Sequence, residues 1–369
     1  MLCVLLSVAS AAEPSGEMGR CAADPTGADP APADAGCGCA AMRRDALLPP
    51  PSPLPSPQQS AGATAPPPQM VWIPAGEFVM GHDNRSASPS TFLADGEGPS
   101  RRVRLPGFWM SATEVSTAQW AAFAAATGFQ TDSERFGWSF VFEGQLTPEA
   151  DAAATQAVQA APWWVAVNGA NWRRPEGPGS DALEGRADHP VVHVSWTDAV
   201  AYCRWIGARL PTEAEWEFAA RGKQVGGAKR TVFPWGSQLV PGGVHRANVW
   251  QGAFPAANSA ADGYKFTAPV HAFGPQNEHG LYNMIGNVWE WVSDYWSTRH
   301  SRSTTHNPQG PASGTERTKK GGSYMCHKSY CYRYRTVARS QNTEDTGTGN
   351  LGFRCARSHE PTPSTESKD

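Results

Sequence analysis

Gly321-Gly322-Ser323-Tyr324-Met325-Cys326-His327-Lys328-Ser329-Tyr330-Cys331-Tyr332-Arg333-Tyr334-Arg335 is the stretch on which the reading of this chain turns. Two thiols stand five positions apart, glycine-flanked and crowded by Tyr and Arg, a setting too polar for ordinary core filling. The spacing permits a strained or reducible disulfide, or a pair of soft thiolate ligands converging on one metal ion. Arg333, Arg335, Lys328 and His327 favour thiolate over thiol, which would raise both nucleophilicity and metal affinity. Two thiolates with no third soft ligand nearby suit linear Cu(I) better than zinc, which takes four closed ligands. Ser323, approached through Gly321-Gly322, is expected to lie exposed at the loop mouth.

Outward from this stretch, three helices announce themselves by capping boxes, in which an N-cap hydroxyl and an acid or amide at N3 satisfy each other's backbone N–H groups. They start at Ser116-Thr117-Ala118-Gln119, Ser195-Trp196-Thr197-Asp198 and Thr212-Glu213-Ala214-Glu215, and close at Gly128, Gly207 and Gly222. In the second, Ala199, Cys203 and Ile206 share one face, which directs Cys203 inward. Phe136-Gly137-Trp138-Ser139-Phe140-Val141-Phe142 and Pro162-Trp163-Trp164-Val165 read as short aromatic strands. Beyond Gly222 the sequence is almost continuous turn chemistry, with brief strands expected around residues 321–324 and 352–356. The 15 Trp and 37 Gly among 369 residues fit a fold of many turns pinned by aromatic rings. The fold class expected is a single α+β domain with little regular secondary structure.

The net charge of -3 gives no reason to expect nucleic acid or anionic lipid as a partner. Leu2 to Ala11 is a short apolar run ending in an Ala-X-Ala pattern, so residues 1–11 read as a probable signal peptide. No other run approaches the roughly 18 apolar residues that span a bilayer. Residues 12–69, rich in Pro and Ala, cannot bury enough apolar area to offset their backbone entropy and are expected to be disordered. The folded domain is placed at 70–358, with a flexible tail at 359–369. Eight cysteines fit an oxidising compartment: Cys3, Cys21, Cys37, Cys39, Cys203, Cys326, Cys331 and Cys355. Asn84-Arg85-Ser86 is a glycosylation acceptor sequon at Asn84.

Trp72-Ile73-Pro74-Ala75-Gly76, Leu210-Pro211-Thr212-Glu213-Ala214-Glu215-Trp216-Glu217, Gly286-Asn287-Val288-Trp289-Glu290-Trp291 and Asn350-Leu351-Gly352-Phe353-Arg354-Cys355 complete the picture. With the thiol stretch, they resemble the formylglycine-generating enzyme (sulfatase-modifying factor) family over nearly all of Met70 to Arg357. The first three motifs belong to the whole superfamily, inactive members included; the pair Cys326 and Cys331 singles out the enzyme. The resemblance implies a C-type-lectin-like fold and a copper-dependent oxidase. Its substrate would be the cysteine of a Cys-X-Pro-X-Arg motif in unfolded or nascent sulfatases, converted to Cα-formylglycine with O2. In that scheme Cu(I) sits between Cys326 and Cys331, the substrate thiolate joins as a third sulfur, a hydrogen leaves the substrate β-carbon, and the thioaldehyde hydrolyses.

By motif match, Ser323 and Trp289 would shape the oxygen and substrate-sulfur pocket, although Trp289 reads equally well as a core aromatic. Tyr330, Asn350 and Ser139 would line the peptide groove. Cys203 and Cys355 would form a structural cystine, while the positions of a second family cystine appear as Ala220 and Thr336. Two oxygen-rich turns, Asn248, Val249, Asp262 and Tyr264, then Asn283, Gly286, Val288 and Glu290, could be ordinary turns or Ca²⁺ sites by spacing. The resemblance implies two structural Ca²⁺ ions there. It also implies the endoplasmic reticulum lumen, with possible secretion, and Cys37 and Cys39 as a handle for luminal thiol oxidoreductases or a retention chaperone. A non-catalytic sulfatase-binding paralogue is the rival reading; an iron enzyme on this scaffold would need histidines in residues 116–129, where there are none. His189, His193 and His271 lack metal-ligand spacing and read as structural.

Overall fold

The computed structural model describes Met42 and residues 68–83, 92–222 and 231–359. Residues 1–11, Cys21, Cys37, Cys39, the Asn84 sequon and the tail beyond 359 lie outside the described residues. Within 12–69, Met42 is described: its side chain is fully buried in the main core, and its carbonyl accepts a hydrogen bond from Asn342 Nδ2 at 3.0 Å.

The chain opens with β1 (Met70–Ile73), β2 (Gly76–Met80), β3 (Arg101–Leu105) and β4 (Phe108–Ser111), followed by α1 (Thr117–Thr127), α2 (Asp132–Phe136) and β5 (Trp138–Phe142). Then come α3 (Pro148–Ala153), β6 (Ala157–Val158), β7 (Ala161–Asn168), α4 (Trp196–Trp205) and α5 (Glu213–Arg221). The C-terminal half contributes β8 (Trp289–Tyr295), β9 (Thr305–His306), β10 (Glu316–Lys320), β11 (Arg339–Thr343), β12 (Leu351–Phe353) and β13 (Ala356–Ser358). These strands form four small sheets, ordered β1-β4-β13, β11-β10-β8-β12, β2-β3-β9 and β5-β7-β6.

The three expected helices form with their capping boxes, and Gly128 ends α1 in the left-handed conformation at φ 67°. A fourth capping box, Thr131 with Glu134, starts α2; it claims Phe136, which the aromatic pattern had assigned to the following strand. The larger departure is β8. Residues 289–295 were read as turn, yet they form a seven-residue strand between antiparallel β10 and parallel β12. A central strand buried on both faces loses the alternation that identifies strands in sequence. The strand expected at 321–324 falls instead at Glu316–Lys320, and 321–324 is irregular.

Aromatic rings fill the interior. Trp120 packs against Phe123, Tyr202 and Phe353 at centroid separations of 5.0, 5.8 and 6.0 Å, joining α1, α4 and β12. Cys203 on α4 is bonded to Cys355, with Cα atoms 5.6 Å apart across 152 positions of sequence, so the helix is clamped to the C-terminal strands. Among the described residues no helix is long and apolar enough to cross a membrane.

Candidate active site

The thiol stretch lies in residues 321–338, the connection between the neighbouring antiparallel strands β10 and β11. Two backbone hydrogen bonds fix its entry, Gly286 N–H to Gly321 O (3.0 Å) and Tyr324 N–H to Asn287 O (2.8 Å), and Trp289 N–H to Asn350 O (2.8 Å) ties the start of β8 to the residue before β12. Gly321 and Gly322 have φ 94° and 70°, and a Cβ on either would stand 2.9 Å from neighbouring backbone. Glycine is therefore needed for close approach, and the consequence for Ser323 is burial. Its expected exposure is corrected: Ser323 is fully buried, and its hydroxyl accepts from Asn350 Nδ2 (3.0 Å) and from Met325 N–H (3.3 Å).

Cys326 and Cys331 are unbonded, fully buried, and have sulfurs 2.6 Å apart, beyond the roughly 2.05 Å of a disulfide. Cys331 N–H donates to His327 O at 2.8 Å, so a single tight turn brings the two sulfurs together. The expectation that nearby cations favour thiolate is overturned for Cys326. Burial pushes its thiol up first, reinforced by the hydrogen bond and charge of Cys331, and Arg333 only partly opposes this. Arg333 Nε is held by Asp95 at 2.7 Å, and Arg335 grips Glu97 bidentately at 2.9 and 2.5 Å. Lys328 points into solvent, and burial lowers the basicity of His327.

Besides Arg333, whose charge interacts with both sulfurs, a second cation approaches them that the sequence did not single out, Lys319. It is fully buried on β10, its Nζ lies 5.3 Å from the Trp289 ring centroid and it donates to Asn342 Oδ1. Burial lowers its pKa to about 7, opposed by the charges of Cys331 and Cys326. Trp289 is fully buried, and its indole N–H has no hydrogen-bond partner.

Tyr330 is half-buried at the rim, stacked on Phe254 at 4.1 Å, with its hydroxyl bonded to Met325 O. Asn350 and Ser139, expected along the peptide groove, lie in the interior of this structure. Both are fully buried: Asn350 lies beneath the loop on Ser323, and Ser139 donates to Gly347 O at 3.0 Å and bonds His193 Nδ1 at 2.8 Å. His193 is thereby structural, its Nε2 bonded to Pro175 O at 2.8 Å. His189 is likewise held, through Nδ1 to Thr267 Oγ1 at 3.0 Å, and His271 packs edge-on against Tyr282.

The two oxygen-rich turns adjoin one another and the thiol loop. Asn287 N–H donates to Asn248 O (2.9 Å), and Trp250 N–H donates to Cys326 O (3.0 Å). Asn248 Oδ1 and Asn283 Oδ1 are buried oxygens with no hydrogen-bond donor. Asp262 accepts from Val249 N–H (3.0 Å) and Tyr264 N–H (3.1 Å), and burial raises its pKa. Beside Asn283 stands Glu114, a buried acid that sequence pattern did not reveal, hydrogen-bonded by Asn283 Nδ2 (3.1 Å) and Asn287 Nδ2 (2.9 Å). Burial lifts it to about 7. Glu290 is gripped by Arg354 Nε (2.7 Å) and Nη2 (2.6 Å) and by Trp216 Nε1 (2.8 Å).

The sequence pattern described as Sulfatase-modifying factor enzyme 1-like domain matches residues 56–359. The chain belongs to the formylglycine-generating enzyme family. The formylglycine-generating enzymes of Mus musculus and Bos taurus are 58% and 57% identical over 294 and 301 residues, covering 80% and 82% of this chain and 76% and 78% of theirs. A Bos taurus relative named Inactive C-alpha-formylglycine-generating enzyme 2 is 43% identical over 289 residues, 78% of this chain and 87% of its own. In structure, PvdO from Pseudomonas aeruginosa shares the fold, with a TM-score of 0.53 at 24% identity over 79% of this chain and 95% of that one. The α+β architecture with little regular structure is thus the formylglycine-generating enzyme fold.

Proposed function

We propose that this chain oxidises the cysteine of a Cys-X-Pro-X-Arg motif in newly made sulfatases to Cα-formylglycine, with O2 as acceptor and Cu(I) as cofactor, in the endoplasmic reticulum lumen. One observation carries the reading: two unbonded, fully buried sulfurs 2.6 Å apart in the loop between β10 and β11. Two soft donors without a third suit Cu(I), which when bound would supply one-electron chemistry toward O2. The named relatives at 57–58% identity support the substrate class.

The protein's own groups have definable tasks. Cys326 and Cys331 would hold the metal and would give up their protons to do so, against the burial that favours the Cys326 thiol. Lys319, whose protonated form the charges of Cys331 and Cys326 favour against its burial, would lend positive charge to the resulting anionic centre. Ser323 and Asn350 fix the loop backbone by their mutual hydrogen bond, and the free indole N–H of Trp289 offers one donor to a small polar species. Tyr330 and Phe254 form the aromatic rim against which an extended peptide would lie. Because both sulfurs are fully buried, substrate access requires the Tyr330 segment to move.

Two Ca²⁺ ions are proposed as structural cofactors. Asn248 Oδ1 and Asn283 Oδ1 are hard oxygen donors that are buried without partners, the property expected of ligand atoms. Val249, Asp262 and Tyr264 would complete the first site, and Gly286, Val288 and Glu290 the second.

The test is mass spectrometry of a Cys-X-Pro-X-Arg peptide incubated with the protein, Cu(I), O2 and a thiol reductant. The mass change of –CH2–SH becoming –CHO is expected, and both Cys326→Ser and Cys331→Ser should abolish it. Peptide binding without mass change would overturn the oxidase reading in favour of a sulfatase-binding protein, and full turnover without copper would overturn the cofactor.

A further inference from the structure

β8 carries Trp289 at one end and Asp294 near the other, roughly 16 Å away at about 3.3 Å per residue. Around Asp294 lies a separate cavity of about 330 Å³, within the range of about 300–1,000 Å³ usual for small-molecule sites. Neither the thiol pair nor the calcium turns line it.

Its charge is unusual for a surface cleft. Arg101 on β3 is half-buried, and the one polar contact of its guanidinium among the described residues is to Met80 Sδ at 3.3 Å, a poor acceptor. Arg299 makes no ion pair among the described residues, whereas Arg339 is neutralised by Glu213 through two bonds of 2.7 Å. His300 accepts from Arg339 at 3.0 Å, and burial together with Arg339 and Arg101 lowers its pKa to about 4, so it is neutral. Burial and the neighbouring Glu213 raise Asp294 to about 7, which leaves much of it as a neutral O–H donor near neutrality. Thr305 Oγ1 is buried with no hydrogen-bond partner among the described residues. Among the described residues two guanidiniums on the walls of one cavity thus make no direct ion pair, Arg101 feeling Glu213, Glu217 and Asp294 only without contact, and a hydroxyl there has no hydrogen-bond partner. Met80, Tyr295 and Pro311 give the wall an apolar part, beside the polar Ser297, Ser301 and Gln309. The turn that closes it is tight: Gly310 has φ 71°, and a Cβ there would stand 2.8 Å from Asp294 Oδ1.

We propose that this cavity binds a small organic oxyanion, its carboxylate, sulfate or phosphate group held by Arg101, Arg299 and Thr305, and its apolar body set against Met80, Tyr295 and Pro311. Guanidinium forks recognise all three groups through charge-assisted hydrogen bonds, and a hydroxyl without an internal partner gains by the same contact.

The experiment is calorimetric titration and thermal unfolding of the full chain with benzoate, inorganic sulfate and inorganic phosphate, at ionic strength fixed by sodium chloride. Saturable binding of at least one is expected, and which one binds separates planar from tetrahedral recognition. Arg101→Gln, Arg299→Gln and Thr305→Val should each weaken it, the Arg variants by about tenfold or more, as expected for a lost charged hydrogen bond. Arg299 is exposed, so Arg299→Gln remains informative should the buried variants fail to fold. Conversion of the Cys-X-Pro-X-Arg peptide by Arg299→Gln should match wild type, which separates this site from the thiol centre. No saturable binding of any probe would overturn the proposal, as would binding of equal strength in all three variants, the mark of an adventitious ion only.

Discussion

Arg354 ties Glu290 to three backbone carbonyls inside the core, and its removal is the sharpest test of the packing argument. It is fully buried and makes five hydrogen bonds: two to Glu290 (2.7 and 2.6 Å), and one each to Ser111 O (3.1 Å), Ala112 O (3.1 Å) and Tyr282 O (2.7 Å). Arg354→Met keeps the length of the side chain but leaves Glu290 as a buried carboxylate whose charge repels that of Glu114. Removing one partner of a buried ion pair costs about 3–5 kcal/mol, because the survivor has lost both water and its counter-charge. A domain holds only about 5–15 kcal/mol in total, so the variant should fold but with a large part of its stability gone. The assay is urea unfolding followed by tryptophan fluorescence in EDTA, with ΔG extrapolated to water. Arg354→Met should lose about 3–5 kcal/mol with an unchanged denaturant slope. The double variant Arg354→Met, Glu290→Gln should recover part of that loss, since the charge left stranded has been removed. A loss under about 1 kcal/mol, typical of an exposed ion pair, would refute the reasoning. So would a double variant no more stable than the single one.

Two further outcomes follow from the same region. Glu114 has a folded pKa of about 7 against an ordinary value of 4.5, so between these values the unfolded chain releases a proton that the folded chain keeps. Stability conferred relative to the ionised state therefore falls as pH rises through this window, by about 3 kcal/mol, and metal-free Glu114→Gln should show a flatter ΔG between pH 5 and pH 8 than wild type. Identical slopes would show that Glu114 does not titrate as described. Calcium should raise the thermal midpoint over EDTA, by an amount equivalent to about 2.7 kcal/mol per site at a hundredfold excess over Kd, and Asn248→Ala and Asn283→Ala should each diminish that rise. An undiminished calcium response in both variants would return the two turns to ordinary loop chemistry.

Local chemistry made several elements legible. The capping boxes at Ser116, Ser195 and Thr212 place α1, α4 and α5 correctly because a cap is settled by residues within one turn of chain. The inward face of α4 likewise anticipated the burial of Cys203. The same locality failed at β8, where burial on both faces erased the strand period, and at α2, whose cap lay inside an aromatic run.

At the site, the sequence by itself determined which atoms meet: the thiols of Cys326 and Cys331 are five positions apart, and one turn closed by Cys331 N–H to His327 O is enough to join them. Only the tertiary structure decided their electrostatics. Arg333 and Arg335 look like thiolate partners along the chain; Arg333 does feel the charge of Cys331 and Cys326 while Asp95 holds it, Arg335 is taken by Glu97, 238 positions away, and Lys319 approaches the sulfurs from β10. The same holds for Ser323, Asn350 and Ser139, which residue type marks as polar and packing places at zero exposure. Hydrogen-bond caps and turns act over a few residues, whereas desolvation and charge pairing depend on every element that closes over a group, and those come from the whole length of the chain.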